Sequence, residues 1–131
     1  MVDNKTLTRN FYAALTEGRF TVIDDLVSEA FIEHEEIPTD ADGRDGLREM
    51  FEGLHVAFSD FAMNIEDMAA EGDKVFVRAT MQGIQRAEFL GIASKGKPML
   101  VPVADVLRFE DGRIVEHWGV MDTGQMMQQL L

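Results

Sequence analysis

Asp105, Glu116 and Asp122 are three carboxylates in a stretch that otherwise looks like core: VPVADVLRFEDGRIVEHWGVMD, Val101 to Asp122. A carboxyl group surrounded by apolar side chains loses the hydration of its charged form. Its pKa rises towards neutrality, and it can then give and take a proton under ordinary conditions. Asp122 is the first candidate for such a role and Asp105 the second. If the two are close, they titrate as a coupled pair.

A β-hairpin must position these acids. Val101–Phe109 and Arg113–Val120 are rich in β-branched, aromatic and aliphatic residues. Asp111-Gly112 between them is a strong two-residue turn signal, because a type I′ turn needs positive φ. That turn sets Glu110 opposite Arg113 and, by regular counting, Asp105 opposite Trp118 and Val101 opposite Asp122. Alternation then puts Val101, Val103, Asp105, Leu107, Phe109, Ile114, Glu116, Trp118, Val120 and Asp122 on one face. A mainly apolar face carrying acids reads as a pocket lining. Val106, Arg108, Val115, His117 and Met121 fall on the other face. A single bulge would exchange the faces beyond it.

The remaining elements follow in chain order. Asn4 to Glu17 has Leu7, Phe11, Ala14 and Leu15 at helical spacing, Asp3 or Asn4 as cap and Gly18 as terminator. Tyr12, the single tyrosine, lies beside that stripe. Thr21 opens a short second helix, Phe31 to His34 is extended, and Glu35 to Gly43 is a loop. Asp45 to Phe58 is a third helix with Leu47, Met50, Phe51, Leu54 and Phe58 on one stripe. Phe61–Met68 and Lys74–Gln82 alternate as strands across a Glu71-Gly72-Asp73 turn. Gly83 to Gly96 is part strand and part loop, with Phe89, Leu90 and Ile92 placed to line a cavity mouth and close over a ligand. Gln125 to Leu131 is a tail, helix or strand. Helices followed by antiparallel strands predict a single α+β domain over residues 1–131: a strongly curved, mostly antiparallel sheet with three N-terminal helices packed on it as a cone.

Composition narrows the function. A formal charge of −12 disfavours nucleic acid and anionic membrane as partners. The absence of cysteine removes disulfides and thiol chemistry. With no apolar run long enough for a bilayer and no leader-like segment, the chain reads as cytoplasmic. His34, Glu35 and Glu36 lack a metal-ligand spacing, so no metal is expected.

FYAALTEGRF, the AFSDF that ends the third helix, AAEGDKVFVRATMQG, EFLGI and DVLRFEDGRIVEHWGVMD together resemble the SnoaL-like polyketide cyclase family, within the superfamily built on the nuclear transport factor 2 cone. The resemblance runs from about Leu7 to the C-terminus. It implies intramolecular aldol ring closure without metal or cofactor, with an acid/base aspartate shortly after the hairpin tryptophan. Asp122 matches that aspartate and His34 matches a histidine early in the first strand. Gln85 stands where many members have a histidine-containing stretch, a departure from the pattern.

The catalytic candidates are therefore Asp122, His34 and Asp105. Substrate-lining candidates are Trp118, Tyr12, Val120, Phe89, Leu90 and Phe51. Plainer roles compete. Asp122 could cap the segment that follows it, Trp118 could be core, His34 could lie on the surface and Tyr12 could pack a helix. Glu116 reads as solvated, His55 as a surface residue, and His117 as facing a partner subunit. Three functions remain open. One is cofactor-free acid/base catalysis on an apolar carbonyl compound, cyclase- or isomerase-like. Another is epoxide hydrolysis, which needs an arginine between acids, Arg78 or Arg108. The third is a non-catalytic binding or dimerisation module. Apolar residues on the outer sheet face predict a homodimer.

Overall fold

The computed structural model describes residues 2–131. Helix α1 (Asn4–Glu17) starts where Asp3 accepts a hydrogen bond from the Thr6 amide at 2.8 Å and stops where Gly18 turns left-handed at φ 75°. Its buried stripe includes Phe11, Tyr12 and Leu15. A six-residue α2 (Thr21–Leu26) leads into β1 (Val27–Glu33). After a loop come α3 (Gly43–Ala57), β2 (Phe58–Glu71), β3 (Lys74–Gln85), β4 (Pro98–Glu110), β5 (Arg113–Met121) and a C-terminal helix α4 (Thr123–Leu130). The tail is thus a helix. Thr21 is the first helical residue of α2, one place inside the expected cap.

The five strands form one sheet in the order β1-β5-β4-β3-β2, with β1 parallel to β5 and the rest antiparallel. Register breaks between Ser59 and Ala62 and between Ile65 and Asp67 bend β2. The concave face is lined by alternate residues: Val75, Val77, Ala79 and Met81 from β3, and Met99, Val101, Val103, Asp105, Leu107 and Phe109 from β4. Helices α1 and α3 cover that face, and Leu15, Leu54 and Phe58 are wholly buried between them and the sheet. Each such side chain stabilises the fold by roughly 1.5–3 kcal/mol relative to exposure. The architecture is the expected curved α+β sheet with helices packed on it.

Beyond β3, residues 86–97 form a loop that folds back on itself through a Phe89–Ile92 bridge. Leu90 and Gly91 at its tip have φ 50° and 80°, a two-residue turn of the kind that favours glycine and asparagine.

One feature of the β4–β5 hairpin decides the site. Glu110 pairs with Arg113 and Phe109 with Ile114, as the turn requires, but Arg108 pairs with Glu116. Val115 is an extra residue, a bulge, and beyond it the two faces of β5 exchange. His117, Gly119 and Met121 face inward, opposite Leu107, Asp105 and Val103. Glu116, Trp118 and Val120 face outward.

A candidate active site with one polar wall

The concave face and helices enclose a narrow cavity of about 60 Å³. Its apolar lining includes Phe11, Phe31, Phe51, Leu107 and Ile114, together with four methionines, Met50, Met63, Met81 and Met121. Tyr12, Glu33, Glu35, Asp105 and His117 are its polar groups. They come from α1, the end of β1 and the residue pair beyond it, β4 and β5.

These groups form one connected cluster. The buried Tyr12 hydroxyl donates to Asp105 Oδ2. His117 Nε2 lies 2.8 Å from Asp105 Oδ1, and Nδ1 lies 2.5 Å from Glu33 Oε1. The Glu35 amide donates to Glu33 Oε1 at 3.0 Å. Burial by itself would drive the proton off His117, but the hydrogen bonds it donates to Asp105 and Glu33, and their charges, outweigh it and push the pKa up to about 10. The ring is therefore an imidazolium at neutral pH, and both its N–H groups donate. Burial, followed by the charge of Asp105, raises the Tyr12 hydroxyl well above its ordinary range. The Glu35 carboxyl is also raised. Burial is the main cause; His117 opposes it, while Asp105 and Glu33 add to it. Glu33, Glu35 and His117 place their donor atoms within 4.8 Å of one another, close enough to share one cation. The imidazolium already supplies positive charge at that point.

The sequence-derived candidates divide into two groups. Asp105, Tyr12 and Phe51 line the cavity. Phe89 and Leu90 line a vestibule that shares Glu35, Ile37, Met50 and Met121 with it. Ile92, expected beside them, is buried beneath the turn. Asp122, expected inside near Trp118, is exposed and caps α4 by accepting from the Gln125 amide at 2.9 Å. His34 is exposed, stacks on Trp118 with ring centroids 4.8 Å apart, and lies 2.8 Å from Glu116. Trp118 and Val120 accompany it on the outer face. The bulge at Val115 corrects the placement of the β5 residues among these, and it brings in His117, which regular counting had turned outward. Alternation along β1 places His34 outside, because Phe31, Glu33, Glu35 and Ile37 take the inward positions. That spacing of two, apolar at both ends, was the available signal for Glu33 and Glu35. His55, expected on the surface, is half-buried between Phe20 and Phe61, with Nε2 2.7 Å from the Leu15 carbonyl. Arg108 pairs with Glu116 and Glu110, and Arg78 with Asp67, all on the outer face. Among the described residues no arginine lines the cavity.

Comparison with known proteins agrees with this architecture. TsrD from Streptomyces laurentii superposes with a TM-score of 0.88 at 27% identity, over 98% of this chain and 97% of that one. AclR from Streptomyces galilaeus, provisionally assigned as a hydroxylase, gives 0.84 at 26% identity over 95% and 92%. IdmH from Streptomyces antibioticus, provisionally assigned as a polyketide cyclase, shares the fold with a TM-score of 0.82 at 24% identity over 95% and 96%. No curated protein matches the chain by sequence. The family model for SnoaL-like polyketide cyclases matches residues 5–130, and with the curved sheet, the covering helices and the enclosed cavity in place the chain belongs to that family.

Proposed function

We propose that the cavity carries cofactor-free acid/base catalysis on an apolar carbonyl compound, of the cyclase or isomerase kind. The observation that supports this most directly is the Tyr12–Asp105–His117 cluster, set at one wall of an otherwise apolar enclosure. A carboxylate at that wall removes a proton from the carbon next to a substrate carbonyl. The His117 imidazolium places positive charge at the wall where the enolate oxygen forms, and the Tyr12 hydroxyl can hold that oxygen by shifting its hydrogen bond from Asp105 to it. In a cyclisation the enolate carbon attacks a second carbonyl of the same molecule. A carbon–carbon bond forms, and the new alkoxide takes a proton. In an isomerisation the proton returns at another carbon. Asp105 remains a site residue in this reading. Asp122 and His34 have no part in it, since both stand outside the cavity. Hydrolysis of an epoxide is disfavoured, because among the described residues no arginine lines the cavity to sit between acids.

Phe89 and Leu90 are proposed to close the vestibule over the bound molecule and exclude water. The outer sheet face, where Phe76, Val106, Trp118 and Val120 stand together, is proposed to pair with a second copy of the chain.

A first test follows deuterium exchange next to the carbonyl of an aryl-substituted β-diketone in heavy water. The wild-type protein should accelerate exchange, and Asp105→Asn and Tyr12→Phe should each slow it roughly a hundredfold, the usual size of a general acid/base contribution. A wild-type protein that binds the diketone without accelerating exchange would support a binding module instead.

A further inference from the structure

Gly119 has no conformational reason to be glycine. It is a regular strand residue opposite Asp105, and it is absent from the positive-φ glycines of the chain. Glycine within a strand is less favourable than alanine, so something else should hold it there. A β-carbon at position 119 would overlap Glu35 Oε1 and come within 2.6 Å of His117 Cε1 and 2.9 Å of His117 Nε2. The space that a side chain at 119 would occupy is filled by the carboxylate of Glu35, which reaches it from just beyond β1, the strand beside β5, and by the edge of the His117 ring.

The hydrogen bonds of the cluster distinguish its three acids. Asp105 accepts from Tyr12 and His117, and Glu33 accepts from His117 and the Glu35 amide. Among the described residues nothing hydrogen-bonds the Glu35 carboxylate. His117 is held as a cation and cannot serve as a base near neutrality. Tyr12, Glu33, Asp105 and His117 are the titratable groups that face Glu35 from the neighbouring elements.

We propose that Glu35 is the proton-exchanging acid of this site, seated in the space left by Gly119. The inference rests on the acid/base reading above and specifies which group moves the proton. The carboxylate takes the proton from the carbon next to the substrate carbonyl as the enolate forms. The neutral acid then returns it to the alkoxide or to a second carbon, so the group ends as it began. The upward shift of Glu35 by burial fits a group that holds a proton part of the time.

The test combines kinetics with a direct titration. Carbon-13 NMR of the Glu35 carboxyl should show an elevated pKa in the wild-type protein. Gly119→Ala, which pushes the carboxylate out towards water, should return it towards the ordinary range. In the β-diketone exchange assay Glu35→Gln should lose about a hundredfold in rate. An ordinary Glu35 titration unmoved by Gly119→Ala, or full activity in Glu35→Gln, overturns the assignment. If Glu35→Gln is active while Asp105→Asn and Tyr12→Phe are not, only the role of Glu35 falls. If the wild-type protein does not exchange the diketone at all, the site reading falls with it.

Discussion

His117 is a cation clamped between Asp105 and Glu33, and the clamp has a stability consequence with a definite sign. Its pKa is raised from 6.5 to about 10 in the folded protein. The stabilisation is therefore fully present below about 6.5 and is lost as pH rises through about 10. Glu35 and Tyr12 are raised as well, so their contributions also fall with rising pH, Glu35 on the acidic side and Tyr12 only in the alkaline range. Urea unfolding measured from mildly acidic to alkaline pH should show stability declining across the His117 window. His117→Gln should remove that decline. It should also cost about 3–5 kcal/mol near neutrality, since two buried carboxylates are left without their cation. A flat wild-type profile over that interval would contradict the clamp.

At the scale of elements, the hairpin turn and the inward face of β4 were legible, because Asp111-Gly112 and the alternation from Met99 to Phe109 are local signals. The register beyond Val115 was not. An extra valine among strand-forming neighbours carries no mark of its own, yet it moves Trp118 out and His117 in. Glu33 and Glu35 were hidden for a different reason. They belong to an acidic run that looks solvated, and the histidine they surround lies 84 residues away from Glu33 in sequence. The bulge makes a sharp expectation. Deleting Val115 leaves Glu116 opposite Arg108 and every inward residue in place, so the variant should still unfold cooperatively, weakened by about 1–3 kcal/mol. Deleting Val106, a fully paired residue, should reverse the faces of half a strand and prevent folding. Circular dichroism in the near and far ultraviolet distinguishes the two. In the 86–97 loop, Leu90 occupies a left-handed position that costs an aliphatic residue about 1–2 kcal/mol. Leu90→Asn should stabilise the turn, yet speed release of a bound apolar ligand in stopped-flow measurements, because the apolar tip over the vestibule is gone.

The whole molecule presents two apolar surfaces of opposite character, a closed concave one and an open convex one. On the convex side Val120 is 72% exposed and Phe76 45%, a cost in water that a second subunit would remove. Sedimentation should show a dimer at micromolar concentration. Val120→Arg should convert it to a monomer while leaving the cavity intact, and an unchanged mass for that variant would direct attention to another face. No helix of the described residues is long and apolar enough to cross a membrane.

The four methionines of the lining give the cavity an adaptable wall and also a chemical vulnerability. Conversion to sulfoxide turns a flexible apolar side chain into a polar one, and here that would put polar groups into an apolar lining. Met50 and Met121 stand half-buried where the cavity meets the vestibule, whereas Met63 and Met81 are 9% and 2% exposed. Mild peroxide should therefore oxidise the first pair well before the second, in an order that peptide mass mapping can read. An apolar ligand in the chamber should protect Met50 and Met121, turning thioether reactivity into a measure of occupancy that needs no knowledge of the natural substrate.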